Sequence, residues 1–294
     1  MNGPIGGEPV GELELAHTFT GPMPTGVTVS HTGRVFVNFP KWGDEVPATV
    51  VELRGGREVP FPDQPWNSTS GNADTEAFVS VQSVVVDPAD RLWVLDTGSP
   101  MFQPTEPGGP KLVRVDLDTD TVAQVITFPT DVALTTTYLN DVPFDLRGGD
   151  GAISADGTRL YYCPLASRRW YSVATDALAD RTVAEAEVAA TVVDEGDKGG
   201  GSDGLETDDA GRFYLTSYEH NAVLRRRLDG EFETLVHDPR LLWPDTMSVA
   251  GDGYLYVTAN QLHRQPTYQR GQDLRRRPYA LFRTRIDAGP VRLR

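Results

Sequence analysis

The chain has a single cysteine, Cys163, in 294 residues. No internal disulfide can therefore staple the fold, and the usual mark of a secreted protein is missing. Also missing is any apolar run near the ~18 residues that a bilayer-spanning helix needs, so no membrane partner is expected. The opening "MNGPIGGEPVGELE" lacks the basic and apolar regions of a secretory signal. As given, the chain reads as cytoplasmic, or as secreted or periplasmic if a leader was removed. Only five histidines occur (17, 31, 220, 237 and 263), and none has the H-E-x-x-H spacing of a zinc protease. No G-x-S-x-G elbow, P-loop or dinucleotide fingerprint is present.

Basic charge is scarce as well: 27 Lys and Arg stand against 42 Asp and Glu, a net of −15. Nine of those arginines lie within residues 264–294, so the rest of the chain is more acidic than the net suggests. Such a body repels nucleic acid and anionic membranes. The basic stretch "LRRRPYALFRTRID" places Tyr279, Leu281 and Phe282 among charges in the manner of a strand rather than a nucleic-acid tail.

What the chain does have is a repeat. Five segments share one pattern, an apolar strand, a tight Asp/Gly turn and a second strand rich in aromatic and branched residues. They are "TGVTVSHTGRVFVNF" (25–39), "QSVVVDPADRLWVLD" (82–96), "DGAISADGTRLYYCP" (150–164), "DGLETDDAGRFYLTS" (203–217) and "DTMSVAGDGYLYVTA" (245–259). Turns such as "SADGT", "DDAG" and "AGDG" supply the glycine a hairpin needs at positive φ. Further strand-like runs follow most units, "KLVRVDL" and "QVITFP" among them, and the only helical signal is a short turn near 175–180. A four-stranded antiparallel sheet repeated every 40–60 residues is a propeller blade, whereas a sandwich would space its strands at about 8–12 residues with no longer period. The expected fold is therefore all-β, a β-propeller of five readable four-stranded blades. It fills a single domain over 1–294, with 1–12 as a flexible N-terminal segment.

Several motifs also resemble a known family. "FPKW" (39–42), "VQSVVVDPADRLWVLDTG" (81–98), "TYLNDV" (137–142), "KGGGSDGL" (198–205), "WPDTM" (243–247) and "GYLYVTANQL" (253–262) are similar to the major royal jelly protein/yellow family in its bacterial form. The resemblance runs in register over roughly residues 20–290. It implies a six-bladed propeller with a ligand-binding central channel; some insect relatives bind biogenic amines, and others are linked to dopachrome conversion. The chain departs from the family at "YLNDVPFDLRGGDGAIS", where about a blade's worth of strands is absent. One blade is thus deleted or reduced at 138–150, which leaves either a closed five-bladed ring or a sixth blade cut down to the single strand 139–146.

Aligning the five units puts Thr25, Gln82, Asp150, Asp203 and Asp245 at the start of each innermost strand, with Asn140 and Asp141 contributed by the remnant. Carboxylates gathered on one axis repel each other unless a cation or shared protons compensate. Oxygen donors of this kind suit calcium or magnesium. The expected metal set is Asn140, Asp141, Asp150 and Asp203; the alternative is that these side chains cap turns within their own blades. A fold-level similarity to gluconolactonase/regucalcin propellers implies the same use of Asp150 and Asp203, although the glutamate of that group's first blade is matched here by Thr25.

In a hydrolase or tautomerase, Asp203 or Asp245 would act as the catalytic base. Thr25, Gln82, Trp42, Trp243, His220 and His263 are the expected substrate contacts, while Trp66 lies in a loop that could also wall a pocket. Cys163 in "LYYCPL" reads as a small core hydrophobe. The function these residues suggest is a divalent-metal-dependent enzyme acting on a small lactone or quinone-like carbonyl compound. The alternatives are a non-catalytic binder of small amines or aromatics, and a scaffold for protein partners.

Overall fold

The computed structural model describes residues 8–68, 77–142, 153–154 and 156–292. Strand β1 (Glu14–Phe19) comes first in the chain and is used last in the fold. The first blade holds β2 (Val27–Val29), β3 (Val35–Asn38), β4 (Val50–Arg54) and β5 (Arg57–Pro60). The second holds β6 (Val81–Val86), β7 (Leu92–Thr97), β8 (Pro110–Asp116) and β9 (Thr121–Thr127). The third shows β10 (Arg159–Tyr162), β11 (Arg169–Ala174) and β12 (Val193–Asp197), with Ile153 bridging Leu160 on the inner side. The fourth is β13 (Leu205–Thr207), β14 (Phe213–Ser217), β15 (Ala222–Arg226) and β16 (Phe232–His237). The fifth is β17 (Pro244–Val249), β18 (Tyr254–Ala259) and β19 (Tyr279–Arg285), completed by β1 in the order β1-β19-β18-β17. The fold is a five-bladed β-propeller. Pairing β1 with β19 joins the two ends of the chain within one sheet, so the ring is latched by backbone hydrogen bonds.

One local rule makes all five inner hairpins. The residue that follows each inner strand donates its N–H to a carbonyl on the far side of the turn: Ser30 to Arg34, Asp87 to Arg91, Ser154 to Arg159, Asp208 to Arg212 and Ala250 to Tyr254, at 2.8–3.1 Å. In two blades an aspartate at this position also gathers the side chains beyond the turn. Asp87 accepts from Arg91 Nε and Trp93 Nε1, and Asp208 accepts from Arg212 Nε and Tyr214 Oη. These aspartates hold turns, as "DG"-type segments commonly do.

Three pairs of adjacent inner strands are laced by the side chain at the fourth position of a repeat unit. Thr28 Oγ1 accepts from Val86 N (2.9 Å), Ser248 Oγ from Val29 N (3.0 Å), and Glu206 Oε2 from Val249 N (3.4 Å). Gly204 permits the closest approach: a Cβ there would lie 2.2 Å from Asp245 O and 3.1 Å from Thr246 Cα, both backbone of the neighbouring blade. Gly204→Ala is expected to cost about 1–3 kcal/mol by forcing the fourth and fifth blades apart. Chemical denaturation of the variant measures this, and an unchanged midpoint would show that the contact relaxes freely.

The C-terminal strand matches its expected pattern, with Tyr279, Leu281 and Phe282 buried. Helices are short, and the turn expected near 175–180 is Thr175–Ala179. Two expectations change. Val10 exchanges both backbone hydrogen bonds with His237, so the N-terminal segment is pinned to the fourth blade within its described part; residues 1–7 lie outside the described residues. At the seam, residues 139–142 are not in a strand; Leu139 and Val142 pack on Trp93, Leu95 and Leu112 of the second blade. The rest of the expected remnant strand, 143–146, lies outside the described residues.

Candidate functional site

The inner strands enclose a central cavity of about 320 Å³. Its walls are aliphatic for much of their length, from residues such as Val27, Val29, Val84 and Val249. Asp141, Asp203 and Glu206 add three carboxyl groups, with Asn140 and Cys163 also on the wall. At the end of the cavity formed by the hairpin turns stand His31 and Pro290. Pro290 is held there by a bridge to Asp208, and Asp209 N donates to Gly289 O at 3.0 Å.

Asp203 sits just before β13, where its N–H donates to Thr216 Oγ1 (2.9 Å) and its Oδ2 accepts from Trp243 Nε1 (2.8 Å). Burial, and then the charge of Asp141, push its carboxyl up to about 6, against the Trp243 hydrogen bond. Glu206 is pushed further, to about 8: burial dominates, hydrogen bonds from Thr207 N and Val249 N oppose it, and Asp141 and Asp208 add repulsion. Asp141 faces the cavity and accepts from Ser83 Oγ and Val142 N, both at 2.8 Å. The protein around it still raises its carboxyl above the ordinary range. Burial also raises Asp245, and the Asp203 charge adds to this.

Trp243 is fixed on both faces, stacked on Tyr218 at 4.2 Å and 10° and on His263 at 5.8 Å and 20°. Tyr218 Oη in turn donates to Leu165 O (2.8 Å). His263 is held below the usual histidine range by burial and by Arg264. An indole N–H aimed at Asp203 from a three-ring stack can set one face of its carboxylate and leave the other to the cavity.

The structure separates the residues aligned from sequence. Asp203, Asn140 and Asp141 line the cavity, and Trp243 and His263 reach it through the stack on Asp203. Thr25 is not a ligand contact: it is 1% exposed, its Oγ1 accepts from Asn38 Nδ2, and its carbonyl accepts from Thr258. Gln82 is buried behind the wall, where it joins Tyr138 to Asn140. Asp245 lies off the wall and is engaged by Asn260 Nδ2 and Thr246 Oγ1, so it is unsuited to be the base.

His220 is bound to Ser217 Oγ (3.0 Å) beside Gly200, away from the wall. Trp42 belongs to a separate aromatic cluster with Phe102 and Tyr138. Trp66 packs against Phe78 in the core between blades. Cys163, read as core, faces the cavity instead. Asp150 lies outside the described residues.

Nor do the expected metal ligands assemble. Among the described residues no three His, Cys, Asp or Glu side chains converge as a metal site would require. Asp203 and Asp141 each already accept from a neighbouring side chain. With Asp150 outside the described residues, the described donors alone do not complete the expected set.

Glu206 was missed from sequence, though a signal existed. It is the one charge in a column that otherwise reads Thr28, Val85, Ile153 and Ser248 across the five units. Tyr218 was missed because only the fold carries its ring from the end of β14 onto Trp243.

A family model described as Major royal jelly protein matches residues 79–153 and 147–279, two stretches that meet at the seam. "Protein yellow" of Drosophila erecta is 33% identical over 130 residues, covering 41% of this chain and 24% of that protein. "Protein yellow" of Drosophila subobscura is 30% identical over 154 residues, covering 49% and 26%. The matched region is thus about a quarter of the length of these curated relatives. Among solved structures, the calcium-binding protein regucalcin from Agrobacterium tumefaciens superposes with a TM-score of 0.58 at 14% identity, over 95% of this chain and 96% of that one. A luciferin-regenerating enzyme gives 0.57 at 13% identity, over 97% and 100%. At these identities the likeness is one of fold.

Proposed function

From the premise that the chain belongs to the major royal jelly protein family, we propose that its central cavity is the active site of an enzyme acting on a small carbonyl compound, a lactone or a quinone-like ketone. The observation that carries this reading is that Asp203 and Glu206 share one cavity wall in unequal settings. Asp203 is ionised over part of the neutral range, whereas Glu206 stays protonated there. A pair so separated divides into a base and a hydrogen-bond donor.

In a tautomerisation, Asp203 takes the proton α to the carbonyl, the C–H electron pair becomes the enol double bond, and the Glu206 O–H donates to the oxygen on which charge develops. In lactone hydrolysis, Asp203 takes the proton of a water whose oxygen attacks the carbonyl carbon, and the C=O π pair moves onto the oxygen that Glu206 hydrogen-bonds; when that pair returns, the ring C–O bond breaks and Asp203 gives its proton to the leaving alkoxide. Trp243 holds the Asp203 carboxylate in place for either.

The test is hydrolysis of small lactones, together with deuterium uptake α to the carbonyl of cyclic ketones followed by NMR. Asp203→Asn keeps an oxygen for the Trp243 N–H but removes the base, and kcat is expected to fall about 10²–10⁴-fold. Absence of both hydrolysis and exchange in the unmodified protein would reject the enzymatic reading. A second reading, binding of an aromatic amine without turnover, is favoured by the Tyr218–Trp243–His263 stack beside Asp203. Calorimetry with aromatic amines tests it directly.

A further inference from the structure

A second aromatic cluster stands at the same end of the propeller as Asp203. Trp42 follows β3, Met101 and Phe102 follow β7, and Tyr138 lies two residues before Asn140. Trp42 Nε1 donates to Tyr138 Oη (2.7 Å), Tyr138 Oη donates to Gln82 Oε1 (2.9 Å), and Gln82 Nε2 donates to Asn140 Oδ1 (3.4 Å). A chain of three hydrogen bonds therefore ties this cluster to the cavity wall.

Phe102 stacks on Trp42 at 5.1 Å and 24° and meets Tyr138 at 4.7 Å. Its outer side is in solvent, at 59% exposure, with Met101 beside it at 53%. Both residues carry φ of 56°, in the left-handed region that side chains other than glycine avoid. Met101 N to Lys41 O (2.9 Å), Gln103 N to Pro100 O (3.0 Å) and Ser99 Oγ to Gln103 O (2.5 Å) hold the tip in that form. Two consecutive large apolar residues kept in strained backbone and in water do not serve folding, which would bury them or place glycine there. The result is a ring platform on the same end of the propeller as Asp203, joined to Asn140 of the cavity wall by that hydrogen-bonded chain and largely open to solvent.

We infer that Phe102, backed by Trp42 and Tyr138, is a stacking subsite for the planar aromatic end of a ligand whose carbonyl end enters the central cavity. The ligand class is then an aryl-fused or aryl-substituted carbonyl compound rather than an aliphatic one. This rests on the cavity reading above and narrows it.

The test compares 3,4-dihydrocoumarin with δ-valerolactone, two six-membered lactones that differ in the fused ring. In Phe102→Ala the KM for dihydrocoumarin is expected to rise about tenfold, with kcat within about twofold and the constants for valerolactone unchanged. Phe102→Leu, which keeps apolar area but loses the ring, is expected to behave like the alanine variant. Because Phe102 is exposed, the thermal midpoint of both variants should stay within a degree or two.

If the unmodified protein neither binds nor converts either lactone and exchanges no ketone α-proton, the cavity reading falls and this inference with it; if only ketones are used, 1-tetralone and cyclohexanone take the place of the two lactones with the same outcomes. If the lactones are used and Phe102→Ala shifts both equally or neither, only the subsite falls.

Discussion

Replacing Lys111 by methionine is expected to destabilise the protein by about 3–5 kcal/mol. Lys111 and Asp96 form an ion pair at 3.1 Å, and both side chains are fully buried in the second blade. Asp96 also accepts N–H bonds from Val79 (2.7 Å), Ser80 (2.9 Å) and Gly98 (2.9 Å), which tie the loop before β6 to the end of β7. With the ammonium gone, a carboxylate stays in the interior facing three amides. The half-buried Lys41 nearby is itself held below its usual range, chiefly by burial, which persists in the variant and makes it a poor substitute. Removing one partner of a buried pair is costly for this reason even where the pair adds little net stability. Denaturant titration of the variant should show the midpoint shift, and a loss under about 1 kcal/mol would mean that Asp96 finds water or a proton without its partner.

Glu206→Gln is expected to remove one large component of the pH dependence of stability between about pH 5 and pH 9. In the folded protein this carboxyl is pushed up to about 8, from an ordinary value of 4.5. A raised carboxyl means that the folded state favours the protonated form. Its contribution is therefore fully present below about 4.5 and is lost as pH rises through 8. Above pH 8 the native state must carry a buried charge near Asp141 and Asp208, which also face it. At about 1.4 kcal/mol per pKa unit, reduced for water in the cavity, the cost is on the order of 2–4 kcal/mol. Glutamine never ionises and keeps an oxygen for Thr207 N, so the variant should match the unmodified protein at pH 5 and exceed it at pH 9. Denaturation at both pH values decides this, and equal slopes would show that Glu206 ionises freely in the cavity. Asp141, Asp203 and Asp245, also raised, titrate in both proteins and cancel to first order in the difference.

The propeller was legible because each inner hairpin is local. Strand, turn and aromatic strand lie within fifteen residues, and the same closing hydrogen bond recurs from Ser30 to Ala250. The strand that latches the ring was not legible: Glu14–Phe19 carries no repeat pattern, and its partner β19 lies more than 250 residues away. Aligning the units singles out Asp203, which lines the cavity, but treats every member of its column alike. Thr25 and Asp245 occupy the same register, yet Asn38 and Asn260 bind them inside the scaffold.

The sequence by itself determined a five-unit β-propeller with an acidic body, a break near residue 140 and carboxylates at the ends of inner strands. These follow from periodicity, turn chemistry and charge, which act over a few residues. Only the tertiary structure decided which carboxylates face the cavity, that Glu206 is among them, that Trp243 reaches Asp203 and that Phe102 stacks on Trp42. Those outcomes depend on how neighbouring blades approach, and on which polar groups from distant parts of the chain reach each side chain first.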